Sequence, residues 1–261
     1  MAAPTIRSLK VTDTQRLTAN FLRITFAGDA LSDFPDDFEG GYVKLLFERN
    51  GSAVSNPNAD YLRAYIKRSY TVRAVDKSVP SLTIDFADHD VAHGSPGPAT
   101  AWARQARPGD SIPIVGPGRV KRLEPSADQV VAAADPTALP ALAVNLELLP
   151  DDARGLAFIE VLSEQDRLDL VAPEGVEIRW IVNPKPTLDR YPLVDALTAA
   201  PWPQGRVSVW AAGEFNAMRQ MRQYIGEQGV AREDLYISSY WKLGSTDEDH
   251  KRAKRADANP G

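Results

Sequence analysis

Residues 123–140 read Leu-Glu-Pro-Ser-Ala-Asp-Gln-Val-Val-Ala-Ala-Ala-Asp-Pro-Thr-Ala-Leu-Pro, and the texture of the chain changes within them. The polar stretch 123–128 reads as a linker. Residues 129–134 are an apolar run of strand length, and 137–149 carry a helix candidate. The alternation continues downstream, with strands expected at 155–162, 176–182, 206–212 and 235–240 and helices at 191–199 and 215–228. Strands alternating with helices imply a parallel, doubly wound sheet. Upstream the pattern is different. Short β-type runs at 21–26, 42–48, 70–75, 81–88 and 111–115 are separated by Gly, Pro, Asn and Asp turns, with one helix at 99–106. That spacing predicts a sandwich or a small antiparallel barrel, and the barrel, six-stranded, is the fold expected. The expected domains are 1–123 and 124–261, with a charged tail over 245–261 that reads as a helix or a frayed end.

Composition narrows the function classes. The 261 residues are 43% hydrophobic and 25% charged, as in ordinary globular proteins. No apolar run is long enough to cross a bilayer, and Met1 to Lys10 lacks the basic flank and apolar core of a secretory signal. A cytoplasmic monomer without membrane insertion is expected. The absence of cysteine excludes disulfides, thiol catalysis and cysteine-ligated iron–sulfur clusters. A net charge of −5 gives no general attraction to nucleic acid. His89 and His93 are four residues apart, but Gly94 and Pro96 oppose a helix there, and two histidines are too few for a metal site.

Five segments carry chemistry. Arg68-Ser69-Tyr70-Thr71 offers a guanidinium for phosphate, a ring for stacking and a hydroxyl; an ordinary barrel strand explains it equally well. His93-Gly94-Ser95-Pro96-Gly97-Pro98-Ala99-Thr100-Ala101-Trp102-Ala103 places glycine and proline before a helix start, where free N–H groups favour phosphate. Its plainer explanation is a surface helix whose Trp102 packs on the barrel. Asp135-Pro136-Thr137-Ala138 ends the first strand of the parallel sheet, where ligands bind, although Asp135 and Thr137 also suit a helix cap. No Gly-x-Gly-x-x-Gly fingerprint is present. Trp210-Ala211-Ala212-Gly213-Glu214 ends another strand, and Gly213 permits close approach of a ribose or nicotinamide. Tyr236 to Gly244 ends the last strand with Tyr240, Trp241 and Lys242, which suit either a lid with a cation or a packed aromatic edge.

In order and spacing these segments resemble the siderophore-interacting protein family of ferredoxin-reductase-like flavoenzymes. Tyr42 to Phe47, Asp85-Phe86, Pro108-Gly109-Asp110, Gly116-Pro117-Gly118 and Asp135 to Pro140 extend the likeness over nearly the whole chain. The resemblance implies an FAD-binding barrel and an NAD(P)H-binding α/β domain. It implies electron flow from NADH or NADPH, or from ferredoxin in some members, through the flavin to the iron of a ferric siderophore, with no catalytic side chain. Arg68, Tyr70 and Thr71 are then expected at the flavin and Gly97, Ala99 and Thr100 at its pyrophosphate. Ser69, Asp85, Phe86, His93, Pro98 and Trp102 are expected nearby, with Asp135, Thr137, Ala138, Gly213, Glu214, Tyr240 and Trp241 on the cofactor side of the second domain. Lys44, Arg119 and Lys242 match the family's siderophore-binding cations, with Lys121 a substitute for Arg119. The stretch 85–94 is longer than the family's usual His-Gly segment, which leaves His89 and His93 as alternatives. Lys242 stands where many members have arginine. Another flavin reductase on the same scaffold, or a flavin-containing siderophore carrier without turnover, fits the same residues.

Overall fold

The protein, seen here as a computed structural model, is described over residues 5–88 and 96–258. It divides into two units, Met1–Lys121 and Arg122–Gly261.

In the first unit, β1 (Ile6–Thr18), β2 (Phe21–Ala27), β3 (Tyr42–Phe47), β4 (Ile66–Thr71), β5 (Ala74–Asp76), β6 (Ser81–Ala87) and β7 (Ser111–Val115) form one sheet. Its order is β4-β3-β7-β1-β2-β6-β5, and its pairs are antiparallel. The two ends of that order are one bent strand. The Val72 N–H donates to the Gly41 carbonyl at 2.8 Å, toward β3, and the Arg73 N–H donates to the Thr83 carbonyl at 2.8 Å, toward β6. Counting β4 and β5 as one strand gives a closed barrel of six, with no open edge left among the described residues. One expectation needs correction, and one strand was not foreseen. The strand expected at 70–75 begins at Ile66 and bends at Val72–Arg73. The 13-residue β1 had no signal of its own beyond Val11, because its second half is mostly exposed and polar.

Alternation fills the barrel. Leu9, Val11, Ile24, Phe26, Val43, Leu45, Ile84, Phe86, Ile112 and Ile114 point inward and are buried. Each contributes roughly 1.5–3 kcal/mol by leaving water. Helix α1 (Pro98–Ala103) starts with proline, whose missing N–H costs nothing in a first turn. It lays Ala99, Trp102 and Ala103 on the barrel core.

The second unit contains β8 (Gln129–Ala134), α2 (Leu139–Glu147), β9 (Arg154–Val161), β10 (Gly175–Val182), α3 (Pro192–Ala199), β11 (Val207–Glu214), α4 (Phe215–Glu227), β12 (Leu235–Trp241) and α5 (Asp247–Ala258). The five strands are parallel in the order β10-β9-β8-β11-β12. The order reverses between β8 and β11, and the carboxyl ends of those strands form the crevice where such sheets bind ligands. Both central strands are covered on both faces, which accounts for their unbroken apolar runs.

The charged tail is a docked helix. His250 on α5 is buried, and its Nε2 lies 2.9 Å from Ser239 Oγ on β12. Lys254 donates to Ser238 Oγ and to the Ser239 carbonyl, and Asp257 accepts from Arg222 at 2.9 Å. Among the described residues no helix is long and apolar enough to cross a membrane.

Candidate functional site

The barrel joins two of the sequence segments. Strand pairing sets Arg68 opposite Leu45 and Tyr70 opposite Val43. Arg68 and Tyr70 therefore share one face of β4, and Ser69 and Thr71 the other. The Tyr70 ring packs on Phe86 with centroids 4.3 Å apart, and its hydroxyl shares a hydrogen bond with Thr100 on α1. Burial, opposed by that bond and by the Arg68 charge, pushes the phenol up to about 12. The Arg-x-Tyr-Thr strand and the start of α1 thus form one wall. At that start Gly97 is exposed, and among the described residues no side chain caps the helix and a Cβ added at Gly97 would meet nothing within 4 Å. Pro98 and Thr100 are half-buried beside it.

Other residues of the expected flavin set are engaged by the protein itself. Asp85 is buried, and both its oxygens accept from Arg23 at 2.6 and 2.7 Å, with Arg73 3.9 Å away. Phe86 is fully buried. Trp102 stacks on Phe26 at 6.2 Å and meets Phe47 and Phe86 edge-on or tilted, so it serves the core. His93 and His89 lie outside the described residues. The sequence did not single out Asp88. It is buried and bridges Arg16 and Arg104 at 2.6 and 2.7 Å, anchoring α1 to the end of β6.

Among the cations, Lys44 holds its ammonium 5.8 Å from the Tyr42 ring. Gly118 donates its N–H to the Tyr42 carbonyl, and the exposed Arg119 follows it. Both thus sit beside Tyr42 on the first unit. Lys242 belongs to the second unit, where its ammonium lies 5.0 Å from the Phe215 ring.

The second unit has a pocket at the switch point, lined by Asp135, Glu160, Asn183, Arg190, Glu214 and Trp241 among others. Asp135 Oδ1 accepts from the Thr137 N–H, the Thr137 hydroxyl and the Ala138 N–H, and Oδ2 accepts from Trp241 Nε1 at 2.6 Å. Asp135 therefore does cap the turn into α2. Gly213 is needed behind it, because a Cβ there would lie 2.7 Å from Asp135 Oδ2 and φ is 156°. Glu214 caps α4 by accepting from the Asn216 and Ala217 N–H groups, and its other oxygen accepts from the Leu243 N–H. Ala138 is buried beneath this layer. Tyr240 is half-buried, and its phenol is held well above the usual range by burial and then by Tyr236.

Glu160 was not foreseen. It is the penultimate residue of β9, in an otherwise apolar run, Leu156 to Val161, and a lone acid there was the available signal. It is 8% exposed. Burial first, and then the Asp135 charge, raise its pKa to about 7, against hydrogen bonds from the Asn183 side chain and the Leu193 backbone. Among the described residues no group of three His, Cys, Asp or Glu side chains is placed to hold a metal ion.

Two family matches cover the chain. Residues 10–121 match the siderophore-interacting FAD-binding domain, and residues 127–244 match the family described as siderophore-interacting protein. The ferric vibriobactin reductase ViuB of Vibrio cholerae is 32% identical over 242 residues, covering 89% of this chain and 88% of that protein. The NADPH-dependent ferric-chelate reductase of Escherichia coli is 26% identical over 253 residues, covering 90% and 92%. The crystal structure of the siderophore-interacting protein SipS from Aeromonas hydrophila superposes with a TM-score of 0.85 at 31% identity, covering 98% and 99%.

Proposed function

The chain belongs to the siderophore-interacting protein family, and from that membership we propose that it is an FAD-dependent ferric-siderophore reductase that draws electrons from a nicotinamide nucleotide. One observation carries the proposal. The hydroxyls of Tyr70 and Thr100, from the two segments singled out for a flavin nucleotide, are bonded to each other on one wall of the barrel. The donors on that wall fit the cofactor: a guanidinium at Arg68, a hydroxyl at Thr100, and an open glycine at the α1 start that leaves room for a phosphate.

Bound FAD supplies the conversion of a two-electron hydride into single-electron delivery to Fe(III), and the substrate iron leaves its oxygen ligands more readily once reduced. The protein's part is binding and position. Arg68 holds the charged end of the cofactor with hydrogen bonds to an anion. Tyr70, clamped between Phe86 and Thr100, sets one face of the ring site. Lys44 and Arg119 give the first unit positive charge beside Tyr42, where an anionic ferric siderophore is drawn in. Asp135, Gly213 and Glu214 shape the reductant pocket of the second unit. The names of the Vibrio cholerae and Escherichia coli relatives support this activity. Release of iron in the cytoplasm completes the proposal.

The test is direct. The purified protein is expected to be yellow with flavin absorbance. It should bleach anaerobically with NADH, NADPH or reduced ferredoxin, supplied separately, and recolour on adding a ferric siderophore while Fe(II) appears in a chelator trap. A bleached flavin that ferric siderophore leaves reduced would overturn it.

A further inference from the structure

Three carboxyl groups line the pocket at the carboxyl ends of β8, β9 and β11. Two of them are committed to the chain. Asp135 accepts from Thr137, Ala138 and Trp241, and Glu214 accepts from Asn216, Ala217 and Leu243. Those bonds build the turn into α2 and the start of α4, so neither group can turn to a ligand without dismantling its element. Glu160 is in a different position. It accepts fewer bonds than either: it faces the same pocket with nine-tenths of its surface buried, and it is held by one amide of Asn183 and by the N–H of Leu193 in the first turn of α3. A carboxylate can accept about four hydrogen bonds, so acceptor capacity remains. Among the described residues the one cation lining this pocket, Arg190, is exposed and lies beside Asp189.

This arrangement discriminates between ligands by charge. A sugar hydroxyl brings a donor that a buried carboxylate lacks, whereas a phosphate monoester brings two further negative charges into a pocket already holding three acids. Resting on the proposed use of a nicotinamide nucleotide, we infer that Glu160 determines reductant specificity: it accepts the ribose 2′-hydroxyl of NADH and disfavours the 2′-phosphate of NADPH. Asp135 and Glu214 supply background repulsion, and Glu160 supplies the selective bond. The preference weakens as pH falls, because Glu160 takes up a proton near neutrality, losing its charge and becoming a donor.

The experiment is titration calorimetry of the full-length, FAD-loaded protein with NAD+ and NADP+ at pH 8 and pH 6, for the parent and for Glu160→Gln. The parent is expected to bind NAD+ about tenfold or more tighter than NADP+ at pH 8. The variant should narrow that gap to about threefold or less, chiefly by tightening NADP+. The 2′-phosphate itself titrates near pH 6, but it does so with both proteins, so the difference between them reports Glu160. Parent binding that favours NADP+, or a ratio that Glu160→Gln leaves unchanged, overturns the inference and leaves the reductase proposal standing. Binding of neither dinucleotide to either protein overturns the nicotinamide half of that proposal and the inference with it. If Glu160→Gln does not fold, Glu160→Asp, which keeps the charge and withdraws it by one methylene, takes its place, and a ratio equal to the parent's overturns the inference.

Discussion

The indole N–H of Trp241 donates to Asp135 Oδ2 at 2.6 Å, joining the end of β12 to the end of β8 across 106 residues of sequence. Between those strands runs β11, whose Gly213 passes behind the same carboxylate. The bond therefore closes the rim of the switch-point pocket. Replacing Trp241 by Phe keeps the ring and removes the donor, leaving a buried carboxylate oxygen one partner short. The expected cost is about 1–3 kcal/mol in the unfolding free energy of the second unit, measured by urea denaturation. A Trp241→Phe protein as stable as its parent would show that the bond is replaced by water.

Glu160 gives a pH dependence whose sign follows from linkage. Its folded pKa of about 7 stands above the ordinary carboxyl value of 4.5. The folded state thus holds the proton more tightly than the unfolded chain, and this stabilisation is complete below about pH 4.5. It is lost as pH rises toward 7, and above that the buried charge is a standing penalty. Glu160→Gln removes the charge at nearly constant shape. The variant is expected to be more stable than the parent at pH 8, by up to on the order of 3 kcal/mol, with the difference shrinking toward pH 5. Thermal melts of both proteins across pH 5–8 check this, and an equal difference at every pH would exclude titration of Glu160 in that window.

Arg68 is half-buried on the same face of β4 as Tyr70. Arg68→Ala should weaken FAD retention by removing a charge-assisted contact worth roughly 1.5–3 kcal/mol, which is about ten- to a hundredfold in dissociation constant. Dilution of the holoprotein, followed by the recovery of free-flavin fluorescence, measures it. Retention equal to the parent's would move the phosphate contact to another residue.

The legible parts of the sequence were those where one residue type has one physical use. The alternation of 129–134, 155–162, 206–212 and 235–240 with helical stretches leads to the parallel sheet, because strands buried on both faces must be apolar throughout. The Arg68 and Gly97 segments were visible as motifs, but their meeting through Tyr70 and Thr100 depends on barrel closure, which no local pattern encodes. β1 was hidden because half of it is exposed, so its composition reads as loop. The roles of Asp85 and Trp102 were ambiguous for a similar reason: the residues that suit a flavin contact also suit an ion pair with Arg23 or a place among Phe26, Phe47 and Phe86. Glu160 stood out only as a lone acid in an apolar run, because its significance lies in Asp135 and Glu214, at the ends of strands that are remote in sequence and close in the sheet.

Lys44 and Arg119 offer the sharpest test of substrate recruitment, because both can be changed without touching the flavin wall. Lys44 lies opposite the exposed Ser69 in the β3–β4 pairing, on the face away from Val43 and Leu45. Arg119 follows the Gly118 that bonds to Tyr42. Lys44 is half-buried and Arg119 exposed, and a cation that water still reaches contributes on the order of 1 kcal/mol to an ion contact, so each single alanine change should raise the Michaelis constant for a ferric siderophore only several-fold. The double change should raise it more steeply, and it should also flatten the dependence on salt, because salt acts by screening charges that the variant no longer has. Maximal velocity should hold, since electron delivery from the flavin does not pass through either side chain. The measurement is siderophore-dependent flavin reoxidation over an ionic-strength series, with FAD content matched beforehand. A fully flavinated Lys44→Ala, Arg119→Ala protein with the parent's Michaelis constant and the parent's salt slope would place the siderophore away from Tyr42. Lys242 on the second unit, whose ammonium rests over the Phe215 ring, would then be the next cation to replace.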